Sequence, residues 1–271
     1  GYCPSFVTVE GEVKIRKNVY GAKAFGSLPD LPEPRLPSLE HPYGLLVTGV
    51  GGTGVVTIGG VLGVAAHIAG FGASVLDQTG LAQKGGSVTT HIRFADSQAK
   101  LHAVRIAAGD ANAVLGCDLV VAANNDCLAK MRKGFTRAVV NSYESFTGDI
   151  TKNPDMKFPA SSMERTIIEA VGEDRFDMAN ATNLATALMG DSIATNMFML
   201  GFAWQKGLIP LPQAAILQAI ELNGAAVNSI MAPPTSNAAG AAGVATQEKF
   251  TWRLVTTPAP CLRKLTMRDS P

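Results

Sequence analysis

Gly44-Leu45-Leu46-Val47-Thr48-Gly49-Val50-Gly51-Gly52-Thr53-Gly54 decides the fold class of this 271-residue chain. Leu45 to Val50 is a short, mostly apolar run that reads as a buried strand, and Gly51 to Gly54 reads as a turn. Val55, Ile58, Leu62, Ala65, Ala66 and Ala69 then recur at helical spacing, with Gly70 as the stop. Ala73 to Asp77 reads as a second strand. Strand, turn, helix and strand in that order predict a parallel pair and an α/β domain.

Downstream, Gly80 to Gly86 is a glycine-rich loop that leads into the alternating stretch Ser87 to Phe94. Val88, Thr90, Ile92 and Phe94 fall on one face of that strand, and Thr89, His91 and Arg93 on the other. Asp118–Ala123 and Arg137–Asn141 read as two more strands, ending in Asn124-Asn125 and in Asn141. The segment from Asn180 to Asn223 reads as helical. Ile193, Met197, Leu200 and Trp204 lie on one stripe, and a further helix runs from Leu211 to Leu222. The expectation is an open sheet from Gly44 to about Asn141, with helices on both faces and the helical segment packed on it.

The flanks differ from this body. Residues 1–21 hold a hairpin-like segment around Glu10-Gly11-Glu12. Residues 22–43 contain Pro29, Pro32, Pro34, Pro37 and Pro42 and read as an extended linker. The domain proper spans 44–227. Residues 228–271 carry Pro233-Pro234 and an Ala/Gly run without periodicity, a composition expected to pack poorly.

Hydrophobic residues make up 46% and charged residues 17%, with a formal net charge of +1. This is a globular composition with no basic excess for nucleic acid, and no apolar stretch of membrane-spanning length is present. Four scattered cysteines (Cys3, Cys117, Cys127, Cys261) make no disulfide framework, and no leader is visible at Gly1, so a reducing, cytoplasmic setting is expected.

Gly49, Gly51, Gly52, Thr53 and Gly54 carry the first chemical signal. A glycine turn between strand and helix lets backbone approach a phosphate, and the helix start offers unpaired N–H groups. The spacing fits a Rossmann-like dinucleotide turn, and Asp77, 23 residues after Gly54, stands where a ribose-binding acid would. Val55 excludes a Walker P-loop, which needs lysine there. The same glycines could serve strand–helix packing alone. The second signal is Gln83, Lys84, Gly85, Gly86 and Ser87, a charge beside bare backbone, with His91 and Arg93 as an extension of positive lining. An ordinary loop above a solvated strand face explains it equally. His67 reads as a core or partner-facing histidine, and Cys117 and Cys127 as buried small residues. Asn124, Asn125 and Asn141 stand at strand ends, where ligands bind in open sheets, although turn formation accounts for them nearly as well.

Together these stretches resemble the indolepyruvate ferredoxin oxidoreductase family in its long fused form. The resemblance rests on Cys3-Pro4-Ser5-Phe6-Val7-Thr8-Val9, on the Gly49–Gly54 turn, and on Gly80 to Val88 with His91-Ile92-Arg93. It continues through Gly116 to Val120, Arg137 to Asn141, Gly190 to Met197 and Gly207 to Leu211. It implies a three-layer α/β/α open sheet, mostly parallel, of the gamma type found in 2-oxoacid:ferredoxin oxidoreductases. It further implies oxidative decarboxylation of aryl 2-oxoacids such as indolepyruvate, acyl transfer to coenzyme A and electrons passed to ferredoxin.

In the intact enzyme the resemblance implies thiamine diphosphate, [4Fe-4S] clusters and coenzyme A, with only coenzyme A a candidate for this chain by itself. Cys3 would be one cluster ligand whose companions are absent, so the chain reads as a fragment starting inside a cluster motif. The glycine turn and the Gln83–Ser87 loop, with Arg93, would face coenzyme A or a neighbouring domain. Expected partners are the thiamine- and cluster-bearing domains and ferredoxin, in a homo-oligomer, with no nucleic acid and no membrane. Two other readings stand beside it: a free-standing NAD-binding dehydrogenase domain built on Gly49, Gly51, Gly54 and Asp77, and a structural assembly domain whose glycines serve packing.

Overall fold

A computed structural model describes residues 32–80, 86–146, 155, 157–189 and 192–223. The segment around Cys3, the residues Gln83, Lys84 and Gly85, the pair Gly190-Asp191 and the tail after 227 lie outside the described residues.

The opening stretch folds as expected. Strand β1 (Tyr43–Val50) is buried along almost its whole length, and helix α1 (Val55–Ile68) follows the glycine turn. Gly70, at φ +77°, ends that helix in the left-handed region that a glycine tolerates. Strand β2 (Gly72–Thr79) is next, and then β3 (Ser87–Ala95). The expected parallel pair does not form. β3 lies between β1 and β2 and is antiparallel to both, with Thr90 opposite Val47 on one side and Asp77 on the other. β2 ends at Thr79 and β3 starts at Ser87, and strands so close in sequence pair antiparallel. β1 and β2 thus share a direction but no hydrogen bonds.

β4 (Ala113–Gly116) and β5 (Arg137–Asn141) extend the sheet on the other side of β1, and β6 (Phe176–Ala179) adds an edge beyond the expected limit at Asn141. The order is β2-β3-β1-β4-β5-β6, with parallel pairing from β1 through β6. The sheet is therefore mixed and mostly parallel, as the fold expectation required.

Val120 is a correction. The run expected as a strand over Asp118–Ala123 is helix α2 (Leu119–Ala122), and the strand precedes it. A short apolar run is ambiguous by periodicity, and here capping decides it. The Asp118 carboxylate accepts from the Val121 N–H at 2.9 Å, closing the first turn. Asn124 is likewise no strand end. It caps α3 (Asn125–Leu128) by accepting from the Cys127 N–H at 2.8 Å.

Two cores sandwich the sheet. Leu45 and Val47 face α1, α5 (Ala181–Met189), α6 (Thr195–Gln205) and α7 (Gln213–Asn223). Leu46, Val114 and Val140 face α2, α3 and α4 (Ala160–Val171). The helical segment thus packs on one face, giving three layers. Tyr43 and Trp204, both buried, donate to the carbonyls of Leu208 and Leu211 at 2.8 and 2.9 Å and tie the loop after α6 to the body. Part of the proline-rich stretch lies against the same region. Leu39 joins the core, and Gln205 donates to the Pro32 carbonyl at 2.8 Å. No described helix is long and apolar enough to cross a membrane.

The start of β2 passes close to the backbone that follows β3. A Cβ on Gly72 would lie 2.5–2.7 Å from backbone atoms of Ser97 and Gln98. Backbone cannot swing aside as a side chain can, so Gly72→Ala is expected to destabilise the fold by roughly 1–3 kcal/mol. Urea denaturation of the variant beside the parent checks this, and an unchanged midpoint would contradict it.

Candidate functional site

The two glycine motifs meet. The Gly51 N–H donates to the Gly86 carbonyl at 2.8 Å, so the turn after β1 abuts the end of the loop before β3. Within the turn the glycines have different reasons. A Cβ on Gly49 would lie 2.6 Å from the Val55 side chain and 3.2 Å from Cys117 Cβ, so Gly49 serves packing. Gly52 and Gly54 have φ of +87° and +96°, and nothing lies within 4 Å of where a Gly52 Cβ would be. Gly54 stands at the start of α1 with no side-chain cap on the helix. Thr53 is held from both sides. Its hydroxyl donates to the Val50 carbonyl at 2.7 Å, and its own carbonyl accepts from Asn196 Nδ2 at 2.6 Å.

This turn forms one wall of a cleft of about 360 Å³. The other walls are Cys117 and Asp118 after β4, Asn141 and Tyr143 after β5, and Thr182, Thr195 and Asn196 from the helices. Its position follows from topology. α1 covers one face of the sheet after β1 and α2 covers the opposite face after β4, so the chain parts between two parallel strands at their carboxyl ends. Crevices of that kind hold ligands in open α/β sheets.

Asn141 organises the floor. Its Nδ2 donates to the Cys117 carbonyl at 3.1 Å and to Thr182 Oγ1 at 2.9 Å. Its Oδ1 accepts from the N–H groups of Tyr143 at 3.3 Å and Ala181 at 3.0 Å. The side chain is buried and fully engaged, so it holds the cleft together. Asn196, which sequence reasoning placed only inside a family motif, is buried and does the same for the glycine turn.

The cleft is polar but not cationic. Among the described residues no lysine, arginine or histidine lines it. Burial raises the Asp118 carboxyl above the usual carboxylate range, opposed by the backbone N–H groups of Val121 and Val120. Cys117 is buried, its thiol pushed up to about 12 by burial and by Asp118, and Cys127 is pushed up to about 12 by burial and by Asp126. Both are thiols rather than thiolates at neutral pH, as buried packing cysteines are. No group of three His, Cys, Asp or Glu side chains suited to a metal forms among the described residues.

Arg93 does not join the glycine turn. It pairs with Gly44 at the far end of β1, while Ser87 pairs with Val50 beside the turn. Six residues of strand, about 20 Å, separate Arg93 from Ser87. Its guanidinium sits 3.5 Å from the Asp110 carboxylate, and its Nε is buried without a partner. The positive lining expected of His91 also fails. His91 is buried, its Nδ1 accepts from the Ile106 N–H at 3.2 Å, and its Nε2 therefore donates to Gln78 Oε1 at 2.8 Å. Burial first, then the charges of Arg105 and Lys130, push its pKa down to about 4. His67 lies on the exposed side of α1.

Asp77 argues against a nicotinamide site. Its carboxylate accepts from Thr90 Oγ1 at 2.6 Å, and β3 holds β2 two strand spacings, about 10 Å, from β1. A ribose-binding acid needs its strand beside the glycine turn.

A second, smaller hollow of about 270 Å³ lies beside the joined motifs. Gly80 and Ser87 edge it, His91 and Gln78 line it, and Arg105 and Lys130 bring it positive charge.

Comparison with known proteins adds the following. The family model described as "Pyruvate ferredoxin/flavodoxin oxidoreductase" matches residues 44–231. The indolepyruvate oxidoreductase subunit IorB of Pyrococcus horikoshii is 28% identical over 185 residues, covering 67% of this chain and 86% of that protein. The protein of the same name from Archaeoglobus fulgidus is 28% identical over 181 residues, 65% of this chain and 83% of its own length. Among solved structures, the pyruvate oxidoreductase subunit PORC of Thermotoga maritima superimposes with a TM-score of 0.53 at 18% identity, covering 80% of this chain and 96% of that one. The 2-oxoglutarate:ferredoxin oxidoreductase of Magnetococcus marinus, with 2-oxoglutarate, coenzyme A and succinyl-CoA bound, gives 0.52 at 15% identity, covering 85% of this chain and 32% of that one. These two structural likenesses establish the three-layer α/β fold.

Two outcomes are expected. Asn141→Ala removes four hydrogen bonds from a buried site and should destabilise the protein by about 2–4 kcal/mol, measured by denaturant titration. For His91 the unfolded chain takes up its proton near pH 6.5 and the folded chain only near pH 4. Stability is therefore complete above that window and falls as the pH drops through it, by up to about 3 kcal/mol. NMR titration of the imidazole should show a midpoint near 4, and an ordinary midpoint would contradict this account.

Proposed function

Because the chain belongs to the pyruvate ferredoxin/flavodoxin oxidoreductase family, we propose that it is the gamma-type domain of an enzyme that oxidatively decarboxylates aryl 2-oxoacids, indolepyruvate foremost, and passes electrons to ferredoxin. The family match over residues 44–231 carries this reading. The indolepyruvate oxidoreductase subunits among its relatives support the substrate class. The chemistry of the cleft agrees in kind. Among the described residues it offers hydroxyls, amides and a capping acid, and no pair of nucleophile and base that could act alone.

On this reading the domain completes a site that other domains carry. Thiamine diphosphate, when bound to those domains, supplies the carbanion chemistry, and clusters there carry the electrons. The residues of this chain assigned to coenzyme A or to domain contact are Gly51, Gly52, Thr53 and Gly54 in the turn and Gln83, Lys84, Gly85, Gly86 and Ser87 in the loop. Gly49 is accounted for by packing, and Arg93 by its distance from both. Cys3 remains a candidate cluster ligand on the resemblance alone. The boundaries 44–227, a cytoplasmic location and a homo-oligomeric intact enzyme belong to the same proposal.

The test is reconstitution. The purified chain with thiamine diphosphate, magnesium, coenzyme A, indolepyruvate and ferredoxin should give no ferredoxin reduction, and adding the thiamine- and cluster-bearing domains should restore it. Turnover by the chain alone would place the active site here and sink the proposal. In the reassembled enzyme, Lys84→Ala should raise the KM for coenzyme A while the stability stays within about 0.5 kcal/mol. A large loss of stability would mean that Lys84 is structural.

A further inference from the structure

We propose that the larger cleft, the one walled by the glycine turn, receives an arginine side chain of a partner polypeptide, with Asp118 as its counter-charge and Tyr143 as its aromatic wall. Asp118 is the one charged side chain in the described lining. It is only 8% exposed and forms no ion pair among the described residues. Neutral backbone N–H groups of Val120 and Val121 hold it, and burial still raises its carboxyl above the usual range. A buried acid met by neutral donors alone favours any cation that enters, and it disfavours an anion.

The hydroxyls of the cleft point the same way. Thr53 donates its proton to the Val50 carbonyl at 2.7 Å, and Thr195 donates to the Ser192 carbonyl at 2.5 Å. With those protons committed, both oxygens can meet an occupant only as acceptors. Asn141 is fully engaged, and Asn196 spends its Nδ2 on the Thr53 carbonyl. The glycine turn lines the cleft through Gly52 and Thr53, whereas Gly54 and the first turn of α1 do not. The helix N–H groups that would favour an anion therefore lie outside it. The described lining calls for a donor. Guanidinium has five N–H donors in one plane, no acceptor and a permanent charge, and it stacks on an aromatic face better than ammonium does. Tyr143 supplies that face and is exposed.

The rim argues for a polypeptide as the carrier of this group. Tyr143, Phe146 and Ile193 are among the large apolar side chains exposed on the described surface. Two of them line the cleft, and Phe146 follows the lining residue Ser145. The Phe146 ring stands edge-on to Phe158, with centroids 5.4 Å apart. A buried charge bordered by exposed apolar groups matches a protein interface anchored by arginine, and a free cation has no use for such a border. The inference rests on the oxidoreductase reading for the identity of the partner, namely the thiamine- and cluster-bearing domains.

The full chain is titrated with Nα-acetyl-arginine amide and followed by NMR at the Tyr143 ring and the Val121 amide. Both signals are expected to shift, to shift less with Nα-acetyl-lysine amide, and to stay in place with Nα-acetyl-glutamine amide. Asp118→Asn keeps a side chain able to cap α2, so the melting temperature should hold. It should weaken arginine binding, and association of the chain with the thiamine- and cluster-bearing domains, at least about tenfold each. Tyr143→Leu, at an exposed position, should narrow the preference for arginine over lysine, and it tests the cleft even where the Asp118 variant folds poorly. Glu169→Gln, at an exposed acid on α4, should change none of these. An arginine probe that moves neither signal, an equal response to the glutamine probe, or an equal loss in Glu169→Gln would overturn the site. Asp118→Asn that loses the arginine probe yet associates with the domains as before would overturn the partner, because the cleft would then take a free cation. The probe titration needs no partner, so failure of the oxidoreductase reading appears separately, as reassembled enzyme that does not reduce ferredoxin.

Discussion

Strand β1 gives its backbone to two neighbours of opposite sense. β3 takes one edge antiparallel along all eight residues of β1, and β4 takes the other edge parallel. A strand buried on both faces must satisfy its N–H and C=O groups within the sheet, and this is how β1 does so. The arrangement determines where the chain can go next. The helix after β1 covers one face and the helices after β4 the other, so a crevice opens at the carboxyl ends between them. On the other edge, β3 brings the loop at Gly86 against the turn at Gly51. Both hollows beside the glycine motifs exist because β1 is shared in this way.

The glycine turn owes its shape as much to distant residues as to its own. Gly52 and Gly54 permit its backbone angles, and Gly49 permits the close approach of Val55 and Cys117. Its position is held by Asn196, 143 residues away, through the Thr53 carbonyl. Asn141 plays the same part opposite, joining β4, β5 and α5 through four hydrogen bonds. Side-chain amides suit this task because each offers donors and an acceptor to backbone groups that regular structure leaves unpaired. The two buried amides of the cleft, Asn141 and Asn196, are therefore framework, and the rest of the described lining is backbone, hydroxyls, Tyr143, Ile193, Cys117 and the capping Asp118.

Charge is distributed differently from what strand alternation implied. His91 and Arg93 alternate correctly with Ile92, on the face away from α1. That face is not solvated at His91, because residues around Ile106 fold over it, and burial removes the proton that would have made the histidine a cation. The positive charge over this part of the sheet comes from Arg105 and Lys130, which no local pattern connects to the glycine loop.

Much was legible along the chain. The β1–α1 unit, the β5 strand, the Gly70 stop and the helical end before Asn223 all follow from periodicities and caps that act within a few residues. So does the packing role of Cys117 and Cys127. The resemblance carried by the Gly49–Gly54 turn and the Gln83–Ser87 loop led to the family that the comparisons establish. Tertiary structure alone decided the place of β3 between β1 and β2, the helical state of Leu119–Ala122, the separation of Arg93 from the turn, and the segregation of cations into one hollow. The physical reason is common to these. Strand neighbours are chosen by long-range backbone hydrogen bonds and by burial of whole faces, and a short apolar run or a lone charge takes its role from what is packed against it.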